Sequence, residues 1–186
     1  RPQDLPADVD RQGLEVTAGY KLRRDDGTFS YAAHAAVLAI DPHFGTVEII
    51  KYVVVEDGGV LINPMIVDGQ ILGGAAQGIG TALYEEMPFD ENGQPLFSTL
   101  ADYVLPGATE VPNIHIEHME TPSPYSLFGQ KGIGEGGAIG SVAAVTNAVN
   151  DALCRVGAEV CETPMTPRRI LTAIQDAKSQ RESVGT

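Results

Sequence analysis

Hydrophobic residues in the first third of the chain follow a β pattern. Apolar side chains recur in residues 14–22, 31–40 and 46–56, and the last two runs flank the turn sequence DPHFG at 41–45. Val, Ile and Tyr favour strands, whereas Pro and Gly favour turns. We therefore predict a strand at Leu14–Leu22 and an antiparallel pair formed by Tyr31–Ile40 and Thr46–Glu56.

The pattern then becomes helical. Asn63-Pro64 offers an N-cap side chain followed by proline at the first helical position, where no backbone N–H is needed. We predict a helix from about Met65 to Glu86. Gln70 and Gln77 are seven residues apart and would share one face of it. The other predicted elements are two short strands and two helices, at Ile114–Met119, Ala158–Cys161, Ala138–Val156 and Pro167–Ala177.

These elements predict an α+β fold, in which helices pack on a mixed sheet. Residues 1–13 are interpreted as an extended lead-in, 14–177 as the folded body and 178–186 as a frayed tail. The sequence starts with Arg1 rather than Met, so we expect it to begin inside a longer chain.

Composition limits the classes of partner. The chain has 186 residues, 43% of them hydrophobic, and a formal net charge of −13. This content suffices for a core, and an acidic chain without a basic cluster is not expected to bind nucleic acid. No apolar run reaches the ~18 residues of a membrane span, and no signal-peptide pattern is present. We expect a cytoplasmic protein with no membrane span.

Metal-ligating residues are sparse. Cys154 and Cys161 are the two cysteines, too few for an iron–sulfur cluster. His115 and His118 lie three apart on a predicted strand, so they would point to opposite faces and make a poor metal pair. We therefore predict no metal ligand among the side chains of this chain.

The glycine-rich segment GIGEGG at 132–137 is the main candidate for chemistry. It fits the dinucleotide-binding spacing G-x-G-x-x-G, but no strand is predicted directly before it, and Glu135 would repel a pyrophosphate. Alternatively, the glycines present the Glu135 carboxylate at the start of a helix. A third interpretation from the residues alone is a glycine turn in which the Glu135 side chain is solvated and has no functional role. Three interpretations of the nearby Lys131 remain: it contacts a phosphate, it neutralises Glu135, or it is simply exposed to solvent.

Several motifs, in order, resemble one known family. They are DGGVLINP at 57–64, Gly69-Gln70 with QGIG at 77–80, TPSPYSLFGQKGIGEGG at 121–137 and NAVNDA at 147–152. The chain resembles the molybdenum hydroxylases, which include xanthine dehydrogenases, aldehyde oxidases and carbon-monoxide-dehydrogenase-like large subunits. The resemblance covers roughly residues 14–175 and is to the C-terminal part of the molybdopterin-binding subunit.

The resemblance implies roles for particular residues. Glu135 corresponds to the general base of a hydroxylation in which water supplies the oxygen. Gln70 corresponds to a glutamine close to the pterin, and the residues of the glycine segment that would let the backbone approach the cofactor are Gly132, Ile133, Gly134 and Gly136. The implied cofactor is molybdopterin with molybdenum, in the cytosine dinucleotide form, and no protein side chain is required as a metal ligand.

The resemblance also implies partners. The remaining part of the molybdopterin subunit, an iron–sulfur unit and a flavin (FAD) unit would lie outside this chain, which is a fragment or one piece of a split subunit. Activity on a small molecule, such as an aldehyde or an N-heterocycle, is expected only in that assembly. The alternatives are a non-catalytic interaction subunit that keeps the fold without the cofactor, and a nicotinamide-binding domain.

Overall fold

The computed structural model describes residues 17–19 and 27–184. Within them, the elements follow in the order β1 (Tyr31–Ile40), β2 (Val47–Asp57), α1 (Pro64–Leu83), β3 (Ile114–Met119), α2 (Gly136–Cys154) and α3 (Pro167–Val184). The predicted lead-in 1–13 lies outside the described residues. The predicted strand Leu14–Leu22 lies mostly outside them as well, and residues 17–19 are not in a strand.

The described strands form one mixed sheet in the order β1-β2-β3. β1 and β2 pair in antiparallel register, which confirms the predicted hairpin. β3 runs parallel to β2, with Ile114 beside Tyr52. At the hairpin turn, Asp41 accepts the N–H of His43 at 2.7 Å, and Gly45 has a φ of 69°, a conformation that favours glycine. The predicted α+β class is confirmed.

Sheet and helices share a hydrophobic core. In β2 the side chains alternate, so that every second residue near its end points into the core. α1 and α2 add apolar faces, and α3 contributes Ile170, Ile174 and Ala177 to the same core. The main buried residues are Tyr52, Val54, Ile71, Ile79, Val145, Val149, Ile170 and Ile174.

Glycine lets α1 and α2 approach closely. A Cβ on Gly78 would collide with the Oγ of Ser141, and a Cβ on Gly74 would lie 2.9 Å from the Cα of Gly137. By contrast, a Cβ on Gly73 would meet no atom within 4 Å. The glycines of α1 therefore serve two purposes: some allow helix packing, and others leave an open surface.

The strand predicted at Ala158–Cys161 is wrong. The segment is irregular, and the side chain of Asn150 satisfies the backbone of Val160 by accepting its N–H and donating to its carbonyl, both at 3.0 Å. Hydrophobic periodicity cannot distinguish this arrangement from a strand, because in both cases alternate side chains enter the core.

α3 extends beyond its predicted end at Ala177 and continues through most of the predicted tail to Val184. Its last turns carry residues such as Lys178, Gln180 and Arg181, whose unbranched side chains favour a helix even when it is exposed. Among the helices that the structure describes, none combines the length and hydropathy of a membrane span.

A buried ion pair anchors the glycine-rich loop to the end of β2. The Asp57 carboxylate is 0% exposed and accepts hydrogen bonds from Lys131 Nζ and the N–H of Gly59, both at 2.9 Å. The N–H of Thr121 adds a third donor at 3.2 Å. Burial alone would raise the pKa of Asp57, but these donors outweigh it and hold the pKa well below its usual range. Lys131 is thus neither exposed nor paired with Glu135.

The close contact of α1 with α2 predicts opposite effects at two glycines. Gly78→Ala should destabilise the protein by about 1–3 kcal/mol, because the new methyl group collides with Ser141. Gly73→Ala adds a methyl group in open space and should be neutral or stabilising by up to about 1 kcal/mol. Urea unfolding of the protein that carries this chain measures both, and equal effects would contradict the packing role of Gly78.

The ion pair predicts a strong dependence on Lys131. Lys131→Met should cost about 3–5 kcal/mol of unfolding free energy, because it leaves the Asp57 carboxylate buried and unpaired. The exposed Lys51 is the control, and Lys51→Met should change stability by less than about 0.5 kcal/mol. Because the folded-state pKa of Asp57 is depressed, its contribution is present above the unfolded carboxyl pKa of about 3.9 and is lost as the pH falls further. A Lys131→Met variant as stable as Lys51→Met would refute this.

Candidate functional site

An open groove lies between the middle of α1, over residues 69–77, and the start of α2. Its volume is about 470 Å³. Both edges are rich in glycine, and the polar groups that reach it are two amides and one carboxylate. The residues that define it are Gly69, Gln70, Gly73, Gln77, Gly134 and Glu135.

Gln70 connects the two edges of the groove. The helix that carries it begins as predicted, with the Asn63 side chain accepting the N–H of Ile66 at 3.3 Å and Pro64 in the first turn. Gln70 Nε2 then donates to the carbonyl of Gly134 at 2.5 Å. Gln77 lies on the same face and also lines the groove, as its spacing predicts. The Gln70 amide therefore fixes the loop that precedes Glu135.

Glu135 occupies the N-cap position of α2. Its carbonyl accepts the N–H groups of Ala138 and Ile139 at 2.9 and 3.1 Å, whereas its side chain makes no capping hydrogen bond. The side chain is exposed and reaches the groove. The helix backbone thus holds the residue in place and leaves its carboxylate available to a ligand.

Backbone hydrogen bonds fix the loop before Glu135. The N–H of Lys131 donates to the carbonyl of Gly58 at 2.8 Å, and the N–H of Gly136 donates to the carbonyl of Ile133 at 3.0 Å. Gly59 forms an antiparallel bridge with Gln130. Together with the Asp57–Lys131 ion pair, these contacts hold the loop along most of its length.

The structure divides the predicted cofactor-binding residues into three groups. Gln70 and Gly134 line the groove beside Glu135. Gly132 does not line it, although a Cβ there would meet no atom within 4 Å. Ile133 and Gly136 face the protein: the Ile133 side chain lies against Gly58, and Gly136 lies against the side chains of Ile71 and Glu56.

A cluster that the sequence did not predict joins β2, β3 and α1 next to the residues of the groove. His118 Nδ1 is 3.1 Å from Oε1 of the buried Glu56, and His118 Nε2 is 2.7 Å from Oδ1 of Asp68. Burial raises the pKa of Glu56. Burial lowers the pKa of His118, but the hydrogen bonds to Asp68 and Glu56 outweigh it and raise that pKa overall. The available signal was the alternation of β2, which places Glu56 on the same face as Tyr52 and Val54.

A second depression, of about 500 Å³, lies between α3 and residues 159–162. Arg169 in it donates to the carbonyl of Pro164 and to Glu86, and Glu162 is 3.7 Å away. The charged groups of this depression therefore pair with one another and stabilise the fold. Within residues 17–19 and 27–184, no group of three or more His, Cys, Asp and Glu side chains is arranged to hold a metal ion.

Comparisons with known proteins find relatives over most of the chain. Residues 3–112 match the family described as the molybdopterin cofactor-binding domain. The large subunit of nicotine 6-hydroxylase from Paenarthrobacter nicotinovorans is 44% identical over 161 residues, which are 87% of this chain and 20% of that protein.

Solved structures share the fold. Quinoline 2-oxidoreductase from Pseudomonas putida 86 matches with a TM-score of 0.75 and 47% identity, over 77% of this chain and 18% of that one. The CO dehydrogenase of Oligotropha carboxidovorans matches with a TM-score of 0.77 and 31% identity, over 81% of this chain and 19% of that one. The chain spans about a fifth of the length of these proteins. Because the family match covers more than half of the sequence and the fold agrees, the chain belongs to the molybdopterin cofactor-binding domain family of the molybdenum hydroxylases.

Proposed function

We propose that this chain forms one side of a molybdenum hydroxylase active site, with Glu135 as the general base. The observation that carries the proposal is the position of the Glu135 carboxylate. It is exposed at the groove, has no capping hydrogen bond, and sits on a backbone that the start of α2 and the Gln70 contact hold rigidly. A base must be fixed within hydrogen-bond reach of the proton that it removes, and this backbone supplies that fixity.

The residues present fit a molybdopterin. Gly69 and Gly73 leave open space in which a bulky ring system meets no side chain, and the Gln70 and Gln77 amides offer neutral donors and acceptors. Gly132 and Gly134 are open as well. The groove already carries the negative charge of the Glu135 carboxylate. Neutral amides can donate hydrogen bonds to an anionic cofactor there without adding further negative charge. Gln70, Gly134 and Glu135 would contact the group, while Ile133 and Gly136 support the loop from behind.

The protein contributes positioning and proton transfer. When bound, molybdenum with its pterin supplies the two-electron acceptor and the site at which water is activated for attack on the substrate carbon. An oxygen of the Glu135 carboxylate would accept the proton that the attacking water loses. Removal of a proton by a fixed carboxylate contributes about 10²–10⁴-fold to a rate. The Gln70 hydrogen bond to Gly134 holds the backbone of the preceding residue and so limits the movement of Glu135.

The remaining part of the large subunit would close the groove, and iron–sulfur and flavin partners would take the electrons away. The proposal of further parts is supported by the length of a relative, because the matched residues make up about a fifth of a protein that is named as a large subunit. We propose the cytosine dinucleotide form of the cofactor on the family resemblance. The substrate is a small molecule, and identities of 44% and 47% to enzymes named for nicotine and quinoline favour an N-heterocycle over carbon monoxide.

Glu135→Gln tests the proposed base. The substitution keeps the shape of the side chain and removes the proton acceptor. In the assembled enzyme, kcat should fall by about 10²–10⁴-fold, while molybdenum content stays near that of the wild type. Steady-state kinetics and metal analysis of the same preparation measure both quantities.

Glu110→Gln is the control, since Glu110 is an exposed carboxylate that does not line the groove and accepts the N–H of Gly107 at 2.8 Å. It should leave kcat unchanged. A Glu135→Gln enzyme with full molybdenum and near-normal turnover would remove the catalytic role and would favour a non-catalytic interaction subunit.

Gln70 and Gln77 form a matched pair on one helix. Gln70→Ala should lower activity or cofactor retention, because the hydrogen bond to the Gly134 carbonyl, worth about 0.5–1.5 kcal/mol, is lost and the loop before Glu135 is released. Gln77→Ala should have a smaller effect, since it leaves the loop in place. The activity and molybdenum content of both variants measure this difference. Indistinguishable results would mean that Gln70 does not hold the loop in a way that matters for activity or cofactor retention.

A further inference from the structure

The cluster of Glu56, His118 and Asp68 joins β2, β3 and α1. Glu56 ends the buried face of β2 and is 1% exposed, and the register of the parallel pair places His118 of β3 directly beside it. Asp68 lies in α1. One imidazole therefore connects the sheet to the helix that carries Gln70, through contacts of 3.1 and 2.7 Å.

The two contacts of His118, called the bridge below, link residues that adjoin both edges of the groove. On one side, Asp68 stands half a turn before Gln70, so a movement of Asp68 moves the Gln70 amide. On the other side, the Glu56 carboxylate lies against Gly136, the residue that follows Glu135, and its neighbour Asp57 holds Lys131 in the same loop. His118 thus ties the helix that carries Gln70 to the strand against which the loop around Glu135 rests, in addition to the direct Gln70–Gly134 hydrogen bond and the packing of α1 on α2.

The bridge needs a proton. Both ring nitrogens of His118 face carboxylate oxygens, and an ionised carboxylate only accepts hydrogen bonds. The two contacts are therefore both hydrogen bonds only when the imidazole is doubly protonated or when one of the two carboxyl groups carries the shared proton. Loss of that proton at alkaline pH leaves one nitrogen facing an oxygen with no hydrogen between them.

We propose that His118 is a positioning residue, whose proton-dependent bridge from Glu56 to Asp68 sets the geometry between Gln70 and Glu135. The inference rests on the proposed function of the groove. The charged groups that face the bridge are Glu56 from β2 and Asp68 from α1, with Asp57 and its partner Lys131 next to them. The carboxylates outnumber the cation, which favours retention of the proton.

The direction of the pH effect follows. The hydrogen bonds to Asp68 and Glu56 outweigh burial and raise the pKa of His118. A raised pKa in the folded state means that the bridge is complete below the unfolded histidine pKa of about 6.5 and is lost as the pH rises through the folded value. Turnover of the wild-type enzyme should therefore show an alkaline limb that comes from this cluster.

His118→Ala and His118→Gln in the assembled holoenzyme test the proposal. His118→Ala should lower kcat by about 10–100-fold, because small displacements in a catalytic constellation have effects of this size, with molybdenum content near normal. His118→Gln keeps one amide donor without a titratable group, so it should recover part of kcat and lack the alkaline limb. The unfolding temperature of the wild type relative to His118→Gln should fall as the pH rises, which is a readout independent of turnover.

His115→Ala is the control on the same strand, because His115 is 60% exposed and pairs with the surface Glu117. It should leave kcat and its pH profile unchanged. Combining His118→Ala with Gln70→Ala should give less than the product of the separate effects, since both act through the same geometry.

The inference is overturned if His118→Ala keeps the kcat and the alkaline limb of His115→Ala, or if its effect multiplies independently with that of Gln70→Ala. It is also overturned if His118→Gln retains the alkaline limb. These outcomes differ from failure of the proposed function, which Glu135→Gln reports by itself. An inactive Glu135→Gln with a normal His118→Ala removes only the positioning role.

Discussion

The buried contact between Asp57 and Lys131 is the constraint on which the site depends. A carboxylate with no exposure must be paired and hydrogen-bonded, because an isolated charge in a protein interior is very unfavourable. Here the partner comes from the glycine-rich loop, far along the chain, so the loop cannot leave the end of β2 without exposing a charge or leaving it unpaired. A loop with many glycines would otherwise have large conformational entropy. The ion pair and the backbone bonds around Gly58 convert it into a fixed platform for Glu135.

The glycines show how one residue type serves both folding and function. Gly74 and Gly78 allow α1 and α2 to touch, and this contact brings the N-terminus of α2 beside Gln70. Gly69 and Gly73 lie on the same helix but face open space. Helix packing therefore sets the width of the groove, and the remaining glycines keep it empty of side chains. The same two helices would be too far apart, or the groove filled, if these positions carried larger residues.

Much of the fold could be predicted from sequence, because it depends on local signals. The hairpin followed from two apolar runs around a turn, and the start of α1 followed from Asn63-Pro64. The sequence predicts a strand around Val160, but the segment is irregular. Its backbone is hydrogen-bonded to the side chain of Asn150, a partner that hydrophobic periodicity does not reveal. Motif order pointed to Glu135 and Gln70, but the His118 cluster depends on strand register and on a distant helix. Such long-range charge pairing appears only when the chain is folded.

A map of molybdenum positions in the assembled enzyme that contains this chain tests the central claim most directly. Diffraction data collected on both sides of the molybdenum absorption edge locate the metal without reference to activity. If this chain forms one side of the active site, the strongest anomalous peak lies at the groove between α1 and α2, with the Glu135 carboxylate and the Gln70 amide facing the bound group. A peak at another surface, with Glu135 directed into solvent, would contradict the proposed site.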